Sequence, residues 1–164
     1  MDNEHFQTRP DICQYMASLL PPQCEHVLEP TPGQGNLVQA LKDQKKHVVT
    51  PHTDFWKDID ERAWFDAVVM NPPFTPMKEG YEILDRCMEL THLIVALMPW
   101  LTIINSVKRT KKITDFGLLS VTHLPRTAFP GSRVQTCILK MVYGYTGTTN
   151  LYFYEENDEQ NNNL

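Results

Sequence analysis

Residues 26–36 read His26-Val27-Leu28-Glu29-Pro30-Thr31-Pro32-Gly33-Gln34-Gly35-Asn36, and the apolar stripe Leu37, Val38, Leu41 follows at helical spacing. A short apolar run, a Gly-x-Gly turn and an amphipathic segment spell strand, loop and helix. Asn36 is placed as the cap of that helix, and the basic residues from Lys42 to Lys46 close it at its negative pole. Glycines without a Cβ let the backbone of such a turn come close to a ligand, and they accept positive φ.

What that loop would hold is narrowed by what it lacks. No Lys-Ser/Thr pair follows the glycines, which excludes a phosphate-gripping Walker loop. The third glycine of the dinucleotide pattern is also missing. An acid before the glycines, Glu29, is poor for pyrophosphate and suits a cationic or zwitterionic ligand, of which S-adenosylmethionine is one. A tight turn with no ligand is the plainer alternative, and Gly-x-Gly by itself does not separate the two.

Outward from this unit, the pattern alternates. Asp11 to Leu20 reads as a helix started near Pro10 and stopped by Pro21-Pro22. His47 to Thr50 and Phe65 to Met70 read as strands, Lys78 to Leu90 as an amphipathic helix, and His92 to Met98 as a continuously apolar central strand. A helix over Ile103 to Phe116 and two late strands, Leu118 to Leu124 and Thr136 to Tyr145, complete the reading. Strands alternating with helices, then two strands together, predict a doubly wound α/β sheet with a terminal hairpin.

Composition sets the remaining bounds. A chain of 164 residues with 41% hydrophobic and 21% charged residues suits one domain and excludes global disorder. The expected division is a domain over 1–150 and an acidic, Asn-rich tail over 151–164. The net charge of −5 owes much to Glu155, Glu156, Asp158 and Glu159 in that tail; without them acids and bases nearly balance, so charge says little about partners. The longest apolar run, Leu93 to Val107, falls short of the roughly 20 residues of a membrane span, and the N-terminus lacks a signal-peptide order. A cytoplasmic protein with no membrane partner is expected. Cys13, Cys24, Cys87 and Cys137 show no zinc spacing, so no metal is expected and the thiols read as small core residues.

The second chemical motif is Asn71-Pro72-Pro73-Phe74, at the end of the buried-pattern strand Phe65 to Met70. Two prolines remove two backbone donors and stiffen the chain. What remains is a carboxamide, carbonyls without competing donors, and an aromatic ring. Such a set holds a planar amine: the acceptors orient its N–H groups and Phe74 stacks on the ring. A rigid strand-to-loop turn is the alternative. Lys108-Arg109-Thr110-Lys111-Lys112 is the one dense basic run. With Arg126 and Arg133 it reads either as a phosphate-contacting rim or as a solvated helix face.

Taken in order, Phe6-Gln7-Thr8-Arg9-Pro10, Glu29 to Asn36, Asp54-Phe55 and Asn71-Pro72-Pro73-Phe74 resemble the S-adenosylmethionine-dependent N6-adenine DNA methyltransferases, in the group whose cofactor motifs precede the catalytic one. Leu124-Pro125-Arg126 through Phe129-Pro130-Gly131 into Gln135 to Leu139 resembles the late catalytic region of modification subunits. The resemblance implies a Rossmann-like class I methyltransferase fold with a mostly parallel sheet and a C-terminal antiparallel hairpin. It implies S-adenosylmethionine as cofactor, with Phe6, Thr8 and Pro10 beside its methionine end and Glu29, Pro30, Gly33 and Gly35 around its amino acid moiety. Asp54 would accept from its adenine amine and Phe55 lie against that ring. Asn71 and Pro72 would hold the target amine, with Pro73 stiffening the loop and Phe74 stacking on a DNA adenine flipped from the duplex.

Three departures accompany the resemblance. Arg9 stands where the family has Pro. The ribose-binding acid is replaced in Val48-Val49-Thr50-Pro51, with too little chain before Asp54 for the usual helix, so the edge after the second strand is expected to be reduced or missing that helix. The chain after Tyr145 is too short for a recognition domain, which points to target recognition in a separate subunit. Asn-Pro-Pro-Phe is shared with enzymes acting on rRNA amines and protein glutamine, and a non-catalytic binding module on the same fold is a third reading.

Overall fold

The computed structural model describes residues 7–129 and 133–155. α1 (Pro10–Ser18) begins at Pro10, whose missing N–H is harmless in a first turn, and the Arg9 carbonyl accepts from Cys13 N at 3.0 Å. β1 (His26–Leu28), α2 (Asn36–Asp43) and β2 (His47–Val49) follow, then α3 (Phe55–Asp58), β3 (Ala67–Met70), α4 (Met77–Cys87) and β4 (Leu93–Pro99). α5 (Leu101–Ile104), α6 (Val107–Phe116), β5 (Leu118–His123), a 3-10 turn at Arg126–Ala128, β6 (Thr136–Val142) and β7 (Asn150–Phe153) complete the order.

The seven strands of the described residues form one sheet in the order β2-β1-β3-β4-β6-β5-β7. β1 pairs in parallel with β2 and β3, β3 with β4, and β5 with β7, while β6 runs antiparallel between β4 and β5. Six strands therefore point the same way, and their C-terminal ends make one rim. This is the α/β sheet with a C-terminal antiparallel hairpin that the alternation predicts.

β3 and β4 are buried along their whole length, because helices cover both faces. On one face Val27, Val69, Val95, Leu97 and Ile138 pack under Ile12 and Met16 of α1 and Leu37 and Leu41 of α2. On the other, Leu28, Val68, Met70, Ile94 and Met98 meet Ile83 and Leu84 of α4 and Ile113 and Phe116 of α6. The four cysteines are buried and unbridged. No described helix is long and apolar enough to cross a membrane.

Three local readings change. Gly35, at φ +91°, is the N-cap of α2, and Asn36 is its first residue with its side chain turned to the Thr8 carbonyl. The helix expected over Ile103 to Phe116 is two, because the Ser106 hydroxyl caps a new start at Arg109 N (3.3 Å). Between Thr50 and Asp54 no helix forms, in keeping with the short spacing there, and the single turn α3 starts only after Asp54. Finally, the boundary read at residue 150 falls inside the sheet: Leu151, Tyr152 and Phe153 extend it as β7 beside Val121, Thr122 and His123. Tyr154 then crosses to α1, donating to Asp11 Oδ2 at 2.9 Å and packing edge-on to Tyr15.

Candidate active site

At the rim, the loop leaving β1 and the loop leaving β3 face one cavity of about 820 Å³. Glu29, Pro30 and Gly33 line it from the first loop, and Asn71, Pro72, Pro73 and Phe74 from the second. Thr8 reaches it from ahead of α1, and Phe55 and Phe129 from either side. A second groove of about 690 Å³ lies at the opposite ends of the strands, near Trp64, His92 and Lys140, and contains none of the motif residues.

Glu29 is 1% exposed. Its Oε1 accepts from Thr31 N at 2.8 Å and from the Thr31 hydroxyl at 3.4 Å, and among the described residues no cation pairs with it. Burial pushes the Glu29 carboxyl up to about 8, against the smaller opposing pull of the two Thr31 bonds. A buried acid without a cation is costly when ionised, so this end of the cavity suits a ligand that brings a positive charge.

Asn71 is held at both its polar ends. Its main-chain carbonyl oxygen accepts from the Thr31 hydroxyl at 3.2 Å, and its side-chain Nδ2 donates to the hydroxyl of Thr8. Thr8 is itself buried and is fixed through its carbonyl, which accepts from Asn36 Nδ2 at 3.2 Å and from Cys13 Sγ at 3.8 Å. Hydrogen bonds thus run without a gap from Glu29 through Thr31 and Asn71 to Thr8. Phe74 lies beside Phe129, ring centroids 6.2 Å apart.

Other candidate residues sit elsewhere. Asp54 caps α3, its Oδ1 accepting from Trp56 N at 2.9 Å and Lys57 N at 3.2 Å, and it is Pro51, His52, Thr53 and Phe55 that face the cavity. Gly35 and Pro10 begin α2 and α1 behind the lining, and Phe6 lies outside the described residues, as do Pro130 and Gly131. In place of the family's Pro, Arg9 forms two bonds to Asp11 (3.0 and 2.5 Å).

The basic run lies on the surface of α6, and three of its four cations make contacts there. Lys111 pairs with Asp115 at 2.7 Å, Lys112 with Asp85 at 3.0 Å, and Arg109 stands 3.4 Å over the Tyr81 ring. Lys108, Arg126 and Arg133 are exposed and do not line the cavity. Among the described residues, no group of three or more His, Cys, Asp or Glu is placed to hold a metal ion. Two lining residues that motif reading passes over are Thr31, which stands in the quoted loop, and Phe129, which the turn after β5 delivers from far along the chain.

No family model matches the chain, and no curated protein matches it. Solved structures do. A candidate class I S-adenosylmethionine-dependent methyltransferase from Listeria monocytogenes aligns with a TM-score of 0.74 at 15% identity, over 95% of this chain and 68% of its own. A modification subunit of a type I restriction enzyme from Vibrio vulnificus aligns with a TM-score of 0.73 at 14% identity, over 96% of this chain and 49% of its own. A 23S rRNA methyltransferase aligns with a TM-score of 0.60 at 16% identity, over 85% and 70%. The chain thus spans about half the length of the modification subunit. By its sheet order and these alignments, the chain has the Rossmann-like fold of the class I S-adenosylmethionine-dependent methyltransferases.

Proposed function

We propose that the chain is an S-adenosylmethionine-dependent methyltransferase acting on the exocyclic amine of adenine in DNA. The observation that carries this is the sharing of one cavity by a buried, cation-seeking Glu29 and an Asn71-Pro72 acceptor pair. Glu29 and Gly33 fit the amino acid end of S-adenosylmethionine, and Phe55 fits its adenine ring. When bound, that cofactor supplies an electrophilic methyl group on a sulfonium.

The rest of the chemistry falls to the chain. An amine conjugated to a base ring has its lone pair delocalised and is a poor nucleophile. Asn71 Oδ1 and the Pro72 carbonyl each accept one N–H, which favours the pyramidal amine and frees its lone pair. Neither proline has an N–H to compete for those acceptors. Phe74 and Phe129 offer ring faces and edges to a base turned out of its stack. His52 and Thr53, just beyond the stretch that lacks the ribose acid, line the cavity and are polar groups that would meet the ribose.

DNA adenine is favoured over an rRNA or protein amide by the order of motifs from Thr8 to Phe74 and by the fuller alignment with a modification subunit (TM-score 0.73) than with the 23S rRNA methyltransferase (0.60). Target selection would then lie in a separate recognition subunit. The deciding experiment is transfer of tritiated methyl to unmethylated DNA, structured RNA and lysate protein, side by side. Label in DNA that appears as N6-methyladenine is the expected result; label in RNA with none in DNA overturns the choice of acceptor. No detectable calorimetric heat with millimolar cofactor overturns the enzyme reading as a whole.

Gly80 on α4 gives a finer test. A Cβ there would stand 2.6 Å from Met77 Cε, 3.0 Å from the Pro73 carbonyl oxygen and 3.3 Å from Pro72 Cβ. The Met77 tip can swing aside, whereas the stiff prolines cannot, so Gly80→Ala displaces the acceptor loop. Steady-state kinetics should show kcat lowered about tenfold or more, since small misplacements of reacting groups carry that cost. Cofactor affinity by calorimetry should stay close to wild type.

A further inference from the structure

We propose that Thr8 aims the carboxamide of Asn71, its hydroxyl accepting from Nδ2 so that Oδ1 is the atom left to face the acceptor amine. The inference rests on the methyl-transfer reading above. A carboxamide has a donor end and an acceptor end of nearly the same shape. Only one of them can take an N–H from the substrate, so the loop must choose between two orientations that its stiffness does not distinguish.

Thr8 makes the choice. Its hydroxyl meets Asn71 Nδ2, and its own backbone is pinned by Asn36 Nδ2 and Cys13 Sγ. A hydroxyl is both donor and acceptor, and it would tolerate either amide orientation if its hydrogen were uncommitted. Thr8 also lines the cavity beside Glu29, where the carboxylate of a bound amino acid moiety is an acceptor for that hydrogen. Once the hydrogen is given to the ligand, the hydroxyl can only accept from Asn71, and Oδ1 is turned to the substrate. Thr8 is thus a positioning residue that links an occupied cofactor end to an armed acceptor end.

The test pairs kinetics with a spectroscopic readout. In Thr8→Val, kcat at saturating cofactor is expected to fall about 30-fold. Cofactor affinity is expected to weaken about tenfold, because the hydroxyl's bond to the ligand carboxylate is lost. Thr8→Ser stays within about threefold of wild type in both. In the Asn71→Asp background both side-chain oxygens accept, orientation no longer matters, and Thr8→Val should cost much less. The Asn71 side-chain amide signals, identified as the pair lost in Asn71→Ala, should be well separated and slow to exchange in wild type, sharpen further with S-adenosylmethionine, and collapse toward solvent-like positions in Thr8→Val.

An active Thr8→Val enzyme with wild-type kcat or unchanged amide signals overturns the role of Thr8 alone. Should Thr8→Val fail to fold, the wild-type signals decide: a fast-exchanging pair that ignores the cofactor overturns the proposal, and a protected pair that responds to it supports it. A wild type that binds cofactor but labels no acceptor overturns the methyl-transfer reading, and the proposed role of Thr8 with it.

Discussion

Asn71→Ala is expected to lower methyl transfer by about three orders of magnitude while changing cofactor affinity by less than about threefold. The size follows from comparable losses when one preorganised polar group is removed from a reacting centre, about 10²–10³ in kcat. The asymmetry follows from position. Asn71 Nδ2 is taken by Thr8, its backbone carbonyl by Thr31, and only Oδ1 remains to address a substrate. Alanine keeps the backbone bond to Thr31, so the loop from Glu29 to Gly33 stays in place. Single-turnover transfer set against calorimetric cofactor binding checks both halves. Parallel loss of transfer and binding would assign Asn71 to the cofactor instead.

Glu29→Gln should act in the opposite pattern and should also stabilise the protein. Replacing the carboxylate removes the partner of the ligand's cation in a buried site, and such truncations cost about 2–5 kcal/mol, so cofactor affinity is expected to drop by about 100-fold or more. In the wild type, burial holds the Glu29 proton up to about pH 8, against an ordinary value of 4.5. Between those values the folded chain keeps a proton that the unfolded chain has lost, so stability is full below the lower value and falls as pH rises toward the upper one.

The glutamine variant has no such proton to lose. At pH 8.5 Glu29→Gln should therefore melt several degrees above wild type, at about 2–4 °C per kcal/mol for a chain of this size, with the gap closing at pH 5. Wild-type cofactor affinity should rise with pH between 6 and 8, and binding in that range should release protons into the buffer. A melting difference independent of pH, or affinity flat across that range, would count against a neutral Glu29 in the ligand-free protein.

The legible part of the fold was the part set by local chemistry. The apolar run into Asn71-Pro72 and the Gly-x-Gly turn after β1 are strong signals because backbone and composition agree there. The split between α5 and α6 turns on one hydroxyl, Ser106, whose capping competes with an otherwise helical pattern. β7 escaped because Leu151 to Phe153 follow polar turn residues and precede an acidic stretch, and what makes them a strand is the vacant edge of β5. Asp54 is a candidate by resemblance and a helix cap by geometry, because the free N–H groups of the first turn of α3 meet its carboxylate. Phe129 stands in the segment that resembles the late catalytic region, but its place in the cavity is not legible, because no local pattern says which turn a distant strand will bring there.

The meeting of Tyr154 with Asp11 and Tyr15 joins residues as many as 143 positions apart. α1 therefore waits until the residue after β7 has been translated before Asp11 and Tyr15 are covered. During synthesis the rim beside Thr8 is half built, and the acceptor loop emerges before the clasp that steadies its neighbour has been made. Late closure of this kind makes folding slow relative to local helix formation. It also makes β7 a place where an inserted segment or a break would be felt at α1.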